Sequence, residues 1–456
     1  MAIRTETNQL DIFQLLQPLN PKSIQKKFTF VDLFAGIGGV RIPLEQLGGT
    51  CLGYSEVDKN AIQVYQQNFI KNKESDKIDL GDIQAVGKLP FTVDLMVGGV
   101  PCQPWSIAGK LKGLEDSRGK LWLDVFRLVK VNQPKAFIFE NVKGLLEPRN
   151  RSSLEYIFKN FTESGYIVKY QVLNSYDFGL PQDRDRIFIV GIQDKLENCW
   201  GFTFPKPLNH KVKLYDVISG LEPYELKKAK FPPEVLYSTG KVPPSRGRFQ
   251  KPDELNDFFT FADIRDGHST IHSWDLIPTT PREKLICQTL LKNRRKKIYG
   301  SKDGNPLTFE QLQGLLPDLK VSELNQLIDK GVLKNKENKG YKFANSKISS
   351  GINGVCKIYL PHGDAVGTLT ATGVRDYVAT VPFKCQNPIA YKQDFIKNIY
   401  SPRNYKPLTA QDYAKLQGFP DNFQLFSNEN KAKYQFGNAV SVPVVYHLAK
   451  EVLPFI

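Results

Sequence analysis

From Phe28 to about residue 192, short apolar runs alternate with helical patterns, and this alternation is the feature that most constrains the fold. Apolar runs of strand length indicate buried strands, here at 28–34, 50–56, 92–99, 135–141 and 185–192. Between them, 59–69 and 121–132 repeat apolar residues at helical spacing. Strands that alternate with helices are typical of βαβ crossovers. We therefore predict an α/β fold with a doubly wound, mostly parallel sheet.

The alternation stops near residue 200, and from there to about 400 the chain is punctuated by prolines and looks like a second, smaller domain. Residues 1–27 precede the first strand as a polar N-terminal arm. Within the second domain, 307–343 reads as helix, turn, amphipathic helix and β-hairpin. This order fits a winged-helix-like unit, and a plain helical hairpin fits it equally well.

Charge predicts the kind of partner. The formal net charge is +15, and residues 281–347 hold 15 Lys and Arg against 7 Asp and Glu. Such an excess attracts polyanions, although a modest net charge also serves solubility alone. The run KNRRKK at 292–297 contains Arg294 and Arg295, and we interpret it either as a phosphate clamp or as a solvated linker.

Other classes of protein are disfavoured. No apolar run has the roughly 18–20 residues that a membrane span needs, and MAIRTETNQLDIF lacks the layout of a secretion signal. Six cysteines stand at least 29 residues apart without a CxxC or Cys/His cluster, so we expect neither disulfides nor a metal site. A cytoplasmic protein that does not associate with membranes is expected.

A glycine loop after the first strand predicts a nucleotide-like cofactor. Residues 36–39 read Gly-Ile-Gly-Gly and open a helix, and Glu56 ends the next strand 20 residues after Gly36. Glycines allow close backbone approach, and an acidic residue at this distance binds ribose hydroxyls in βαβ units. The loop lacks the G-x-G-x-x-G spacing, which argues against a dinucleotide. Asp82 is either an adenine ligand from the third strand or a turn-forming residue.

Chemically active side chains follow several predicted strands, where parallel sheets bind their ligands. Cys102 and Glu140 each follow an apolar run. Burial would raise the pKa of the Glu140 carboxyl, so a protonated acid facing a thiol is a plausible pair. Arg184 and Arg186 would hold a substrate oxygen or a thiolate. Each has a plainer interpretation: Cys102 as a buried thiol, and the arginines as a surface pair bonded to the aspartates beside them.

The motifs resemble those of DNA (cytosine-5) methyltransferases, in the order in which that family has them. The resemblance runs from Phe28 to Val445, except for the region between about 195 and 400. The blocks that carry it are FVDLFAGIGG, SEVD, GDI, GGVPCQPWS, FENVKGL, PQDRDRIFIVG, LQGFP and QFGNAV.

The resemblance implies a covalent mechanism. Cys102 resembles the nucleophile that adds to C6 of cytosine, which makes C5 nucleophilic enough to accept a methyl group. Glu140 looks like the residue that protonates or hydrogen-bonds N3. Arg186 looks like the donor to O2, with Arg184 supporting the region of Cys102. The carbonyl of Val100 would accept from the exocyclic amine.

The methyl donor implied by the resemblance is S-adenosyl-L-methionine, with no metal. Glu56 would bind the ribose, Asp82 and Ile83 the adenine, and Asn438 with Val440 the methionine end. Val57 stands where the family often has an aromatic residue. The C-terminus should then pack beside the first strand, which makes 28–195 plus 400–456 the catalytic domain and 196–399 the target-recognition domain. The expected cofactor-binding residues are Phe34, Gly36, Ile37, Gly38, Gly39, Glu56, Val57, Asp82, Ile83, Pro101, Asn438 and Val440.

Double-stranded DNA is the substrate that the resemblance implies, with the target cytosine extruded from the duplex. Residues after Cys102 would form a lid over the extruded base. Candidate DNA contacts are Val100, Gln103, Ser106, Lys110, Arg118, Arg294, Arg295 and Arg375.

The biology implied is that of a prokaryotic restriction-modification methylase, monomeric and nucleoid-associated, paired with a cognate restriction endonuclease. One alternative is a tRNA cytosine-5 methyltransferase, against which the large basic recognition region argues. The other is a catalytically silent DNA-binding regulator on the same fold, against which the intact Cys102, Glu140 and arginines argue.

Overall fold

The computed structural model describes residues 27–70, 78–101, 121–209, 212–237, 240–242, 244–249, 251–302, 304–336, 339–345, 351–371 and 375–456. They divide into two compact units. The first comprises the chain up to Ile218 together with Asp364–Gly373 and Thr409–Ile456, and the second comprises Ser219–Gly363 and Val374–Leu408. From the sequence, 196–218 and 364–373 were expected in the target-recognition domain and 400–408 in the catalytic domain.

The strands lie at β1 Phe28–Leu33, β2 Gly49–Ser55, β3 Ile78–Asp79, β4 Leu95–Gly99, β5 Ala136–Val142, β6 Tyr166–Asn174, β7 Gln182–Asp183, β8 Asp185–Gln193, β9 Phe258–Phe261, β10 Thr270–Ile271, β11 Leu333–Lys336, β12 Gly340–Phe343, β13 Lys357–Tyr359, β14 Val366–Gly367, β15 Asp376–Ala379 and β16 Tyr405–Pro407. The α-helices lie at α1 Arg41–Gln46, α2 Lys59–Phe69, α3 Leu121–Asn132, α4 Arg151–Glu163, α5 Leu214–Val217, α6 Pro233–Leu236, α7 Ser273–Leu276, α8 Pro281–Asn293, α9 Phe309–Leu315, α10 Val321–Asp329, α11 Tyr391–Phe395, α12 Ala410–Leu416, α13 Glu429–Asn438 and α14 Val442–Val452.

The first unit is built on a seven-stranded sheet in the order β3-β2-β1-β4-β5-β8-β6. The five strands from β3 to β5 pair in parallel, whereas β8 runs antiparallel to both β5 and β6. The strand order reverses direction at β1 and β4, where ligands bind in sheets of this type. The predicted α/β fold with a mostly parallel sheet is confirmed.

Both faces of this sheet are buried, which explains the continuous apolar runs. Phe28 and Phe30 pack into one hydrophobic cluster with Val444 and Leu448 of α14, whereas Val31 joins a second cluster around α3 and α4. The C-terminal helix therefore packs beside the first strand, as predicted.

The second unit contains a five-stranded mixed sheet in the order β10-β9-β13-β15-β16. A separate hydrophobic cluster joins α8, α9 and α10 to the hairpin of β11 and β12. The helix, turn, helix and hairpin expected at 307–343 are all present.

Several predicted features lie outside the described residues: the arm before Lys27, Cys102, and the lid positions Gln103, Ser106, Lys110 and Arg118. No helix in the described part of the chain is long and apolar enough to span a membrane. Across the same residues, no group of three or more His, Cys, Asp or Glu side chains is arranged to hold a metal ion.

Candidate active site

The glycine loop turns sharply between β1 and α1. Phe34, Gly36 and Gly38 have φ values of 54°, 55° and 89°, in the left-handed region that favours glycine. A Cβ added at Gly38 would lie 2.2 Å from Cε2 of Phe69 in α2. One added at Gly39 would lie 3.0 Å from the carbonyl oxygen of Val440. The loop thus closes against α2 and the C-terminal segment at positions that leave no room for a side chain.

Glu56 lies at the end of β2, where it joins that strand to the glycine loop. Its Oε2 accepts a hydrogen bond from the Gly36 amide at 2.8 Å, and its Oε1 accepts from the amides of Val57 and Asp58 at 2.8 and 2.9 Å. These bonds fix the carboxylate in one orientation beside the loop. Because carboxylate oxygens accept more than one bond, lone pairs remain for ribose hydroxyls.

The space around this carboxylate suits an adenosyl group. A Cβ added at Gly36 or at Gly81 would meet no atom within 4 Å, so the ends of β1 and β3 face open space. The side chain of Val57 is 65% exposed next to Glu56 and offers an apolar surface there. An anchored carboxylate beside an apolar side chain and an open loop fits the ribose and adenine of the expected cofactor.

Asp82 caps a short 3₁₀ turn, Ile83–Ala85, by accepting from the Gln84 amide at 3.0 Å. The turn-forming role left open by the sequence is therefore present. Ile83, the first residue of the turn, is buried, and an adenine contact by Asp82 stays a prediction.

Glu140 and Arg186 form an ion pair between the antiparallel strands β5 and β8. Nε of Arg186 lies 2.9 Å from Oε1 of Glu140, and only 9% of Glu140 is exposed. Burial raises the pKa of the Glu140 carboxyl above its usual value, and the positive charges of Arg186 and Arg184 oppose this rise. The result is a desolvated carboxyl that takes up a proton more readily than an exposed one.

The carbonyl of Val100 is held beside Glu140. The amide of Val100 donates to the backbone oxygen of Glu140 at 3.2 Å, and its carbonyl accepts from Nδ2 of Asn141 at 3.2 Å. Asn141 was not among the residues expected from sequence, although it lies in the FENVKGL block directly after Glu140. Its side chain orients the carbonyl expected to select cytosine.

Arg184 connects three parts of the first unit. It is buried, with 1% of its surface exposed, and its guanidinium donates to the carbonyl oxygens of Leu369, Gly437 and Ala439 at 2.9, 3.1 and 2.8 Å. The alternative of a surface pair bonded to its neighbouring aspartates is wrong. A role of Arg184 in supporting Cys102 stays a prediction.

The aspartates beside the arginines have other partners. Asn174 donates to Asp183 and Asp185, both at 2.8 Å, and Lys143 pairs with Asp185 at 3.0 Å. The acidic side chains thus contact β6 and the segment after β5, whereas the guanidinium of Arg186 pairs with Glu140 and donates through Nη1 to the backbone carbonyl of Asp185 at 2.8 Å.

The C-terminal block reaches the same end of the sheet. Asn438 is exposed at the end of α13, and Val440 packs against Gly99, whose added Cβ would lie 3.6 Å from both Val440 and Glu140 Oε2. A buried hydrogen bond holds this block in place: the hydroxyl of Ser441 donates to Oε1 of Gln417 at 2.8 Å. Neither residue was singled out from sequence, because Ser441 also contacts Ser175 and Gln417 also contacts Gln182, which lie 266 and 235 positions away.

Two of the DNA contacts expected in the second unit are at the surface and one is not. Arg295 and Arg375 are exposed. Arg294 is 3% exposed, and its guanidinium packs over the ring of Phe343 at 5.5 Å. The prediction that Arg294 contacts DNA phosphate is therefore wrong, because the side chain belongs to the interior of the helical subdomain.

Fold and site together define a methyltransferase with a doubly wound sheet and an acidic side chain at the end of β2. The chain belongs to the C-5 cytosine-specific DNA methylase family, which it matches over residues 28–453. It is a DNA (cytosine-5-)-methyltransferase.

Individual relatives cover nearly the whole chain. It is 45% identical to the Type II methyltransferase M.HgiBI of Herpetosiphon aurantiacus, over 93% of this chain and 96% of that protein. It is 35% identical to M.BanI of Aneurinibacillus aneurinilyticus, over 92% and 94%. A Spodoptera frugiperda DNMT2 structure, 15% identical, shares the fold with a TM-score of 0.52 over 93% of this chain and 99% of that one.

Proposed function

We propose that this enzyme modifies duplex DNA at a specific sequence through a covalent bond between Cys102 and C6 of an extruded cytosine. The observation that carries the proposal is the buried Glu140–Arg186 pair at 2.9 Å, one strand away from the segment that leads into Cys102. A carboxyl that binds protons readily and a fixed guanidinium are the groups needed to draw charge off a pyrimidine ring.

The first step is addition to the ring. The Cys102 thiolate forms a bond to C6, the electron pair of the C5–C6 double bond moves toward C5, and Glu140 supplies a proton or hydrogen bond at N3. Arg186 donates to O2, and the Val100 carbonyl accepts from the exocyclic amine, which thymine lacks. The charge that develops on the ring is thereby spread over groups already in place.

S-adenosyl-L-methionine, when bound, would supply the electrophilic methyl group that C5 takes up, with the thioether S-adenosyl-L-homocysteine as the leaving group. Glu56 would hold the ribose, the loop at 36–39 would leave room for the adenosyl group, and Asn438 would meet the methionine end. After transfer, a base removes the C5 proton, the electron pair restores the C5–C6 double bond, and the Cys102 thiolate leaves.

The names of the relatives support a biological role. M.HgiBI and M.BanI are Type II methyltransferases, and we infer that this chain is likewise the modification enzyme of a restriction-modification system. It would act as a monomer beside a cognate endonuclease. Sequencing 5-methylcytosine in DNA from cells that express the chain would reveal its target, and methyl transfer to that duplex but not to tRNA would support DNA as substrate.

The decisive experiment is trapping. A target duplex with 5-fluorocytosine at the modified position should form a complex that survives denaturation in the presence of S-adenosyl-L-methionine, because fluorine cannot leave as a proton does. Cys102→Ser should form none. Cys385→Ser is the matched control, since this cysteine lies in the second unit, and it should trap normally. An active enzyme that gives no adduct would refute the mechanism.

A further inference from the structure

An apolar surface of the first unit, defined here as the aromatic rim, consists of Trp200, Phe204 and Phe455. Trp200 is 73% exposed. Phe204 and Phe455 are half-buried and pack against the hydrophobic cluster that also contains the start of β1. Buried Phe202 joins them, since its ring centroid lies 5.0 Å from that of Phe204 and 6.2 Å from that of Phe455. Apolar side chains that are exposed together mark a surface for interaction.

The rim lies at the edge of the sheet where β1 begins. One continuous row of paired residues crosses β1, β4, β5 and β8 at Phe30, Leu95, Ala136 and Ile192. The start of β1 is therefore at the same edge as the segment that leaves β8 and leads to Trp200. Three strand spacings separate β1 from β8, which corresponds to roughly 14 Å.

The backbone of the rim is fixed, although its side chains are open to solvent. Nζ of Lys169 in β6 donates to the carbonyl oxygens of Trp200 and Phe202 at 2.8 and 2.7 Å. Cys199 is 4% exposed, and its Sγ donates to the carbonyl oxygen of Asp194 at 3.4 Å. Covering such a surface costs little ordering entropy on the side of the rim, because the rim is already ordered.

The chain itself supplies an apolar segment that is tethered to this edge. The stretch DIFQLLQPL belongs to the N-terminal arm, which lies outside the described residues. Its apolar residues Ile12, Leu15 and Leu16 have the i, i+3, i+4 spacing of one helical face. At the same helical period, Gln14 and Gln17 fall on the opposite side. A helix this short is marginal in water, so it needs an apolar surface to pack against.

The tether is long enough to reach the rim. Residues 18–27 join the apolar segment to β1, and ten residues in extended form span about 33 Å. This length exceeds the roughly 14 Å between β1 and β8. A short tether also keeps the segment at an effective concentration near the millimolar range, so a contact that is weak between separate molecules is occupied within one molecule.

We propose that residues 11–17 dock on the aromatic rim of the same molecule, with their apolar side against Trp200. Asp11 is the only charged residue of this segment and falls outside the apolar side, so docking buries no charge. The docked segment completes the hydrophobic cluster at this edge of the sheet. The inference does not depend on the proposed methyl transfer, because no residue of the catalytic site takes part in it.

The first test measures acrylamide quenching of Trp200 in the full-length protein. The signal of this residue is the difference between the unmodified protein and Trp200→Phe. Leu15→Asp with Leu16→Asp should weaken docking by at least about tenfold, because two buried leucines are lost, and should raise the quenching constant of Trp200. Gln14→Asp with Gln17→Asp is the matched control. It adds the same charge on the opposite side and should leave the quenching constant unchanged.

Two outcomes of this test would overturn the inference. One is a quenching constant that is already high in the unmodified protein and does not rise in the leucine variant, which is also the result expected if the rim binds a different protein. The other is a quenching constant that falls as the protein concentration rises, because a second copy would then cover the rim.

A reciprocal variant changes the rim instead of the arm. Trp200→Ala removes a side chain that is 73% exposed, so the fold should not depend on it. Chymotrypsin cleavage after Phe13 requires the arm to leave the rim, and its rate should rise by at least about tenfold in Trp200→Ala. Tyr156→Ala is the control, since this side chain is 41% exposed on α4, which packs in the other hydrophobic cluster. Equal cleavage rates in both variants would contradict docking at the rim.

Discussion

Nε of Arg186 lies 2.9 Å from Oε1 of Glu140, so the acid expected to act on cytosine is held by the arginine expected to bind the same ring. The two residues sit on adjacent antiparallel strands, β5 and β8. Burial raises the pKa of the Glu140 carboxyl, and the positive charge of Arg186 opposes this rise. The same arginine also fixes the orientation of the carboxyl through the ion pair.

Glu140→Gln tests whether the Glu140 carboxyl acts as a proton donor. Glutamine keeps the shape and an oxygen that can accept from Arg186, but it has no carboxyl proton to transfer. We expect kcat to fall by about 10²- to 10⁴-fold, the range typical of a lost general acid. Single-turnover transfer measures the rate, and DNA affinity should stay near its original value. A kcat close to that of the unmodified enzyme would show that Glu140 does not act as an acid.

Arg184→Met tests the buried connection among three backbone segments. Methionine fills much of the volume but leaves the carbonyls of Leu369, Gly437 and Ala439 without this donor. We expect the free energy of unfolding to fall by at least about 3 kcal/mol, measured by denaturant titration. Arg151→Met is the control, because that side chain is 81% exposed and pairs only across one helical turn, and it should cost under about 0.5 kcal/mol. Equal losses in both variants would contradict the role.

Gly38→Ala tests the closeness of the loop to α2. The new Cβ would lie 2.2 Å from the Phe69 ring, at a φ of 89° that side chains rarely adopt. We expect destabilisation by about 1–3 kcal/mol and a raised KM for S-adenosyl-L-methionine, because the loop must shift. Gly87→Ala is the control, since its Cβ would meet nothing within 4 Å. A normal KM in Gly38→Ala would argue against a cofactor role for the loop.

Asp32→Asn tests a buried carboxyl beneath the same loop. Burial raises the pKa of Asp32 to about 8, against the opposing charge of Arg41. The folded protein then binds more protons than the unfolded chain between about pH 4 and pH 8, so stability falls as pH rises through that window. The Asn variant should lose this dependence and gain relative stability of up to about 5 kcal/mol at pH 8, measured by denaturant titration across pH.

Asp94→Asn tests a carboxyl whose effect on stability should depend on pH in the opposite direction to that of Asp32. Burial of Asp94 is outweighed by hydrogen bonds from Lys135 and Thr29, which lower its pKa. Its contribution is present at neutral pH and is lost as pH falls through the lowered pKa, so Asp94→Asn should be the less stable protein at pH 7. The same pH slope in both variants would contradict the assignment for Asp32.

The sequence by itself predicted strands β1, β2, β4, β5 and β8 of the catalytic sheet, the glycine loop and the family, but it did not predict β6. Strands that are buried on both faces have continuous apolar sequences. The loop contains glycine at positions 36 and 38 because the backbone there has a positive φ. Glu56, Glu140 and Arg186 were found because each stands next to such a run, at the strand end where ligands bind.

Only the tertiary structure decided which side chains meet across long sequence separations. Arg184 bonds to carbonyls at 369, 437 and 439, and no local pattern predicts partners so far along the chain. Arg294 and Arg295 are adjacent in a basic run, yet one is buried against Phe343 and the other is exposed. Charge patterning predicts the sign of a surface, whereas the direction in which a helix end presents each side chain depends on what packs beneath it.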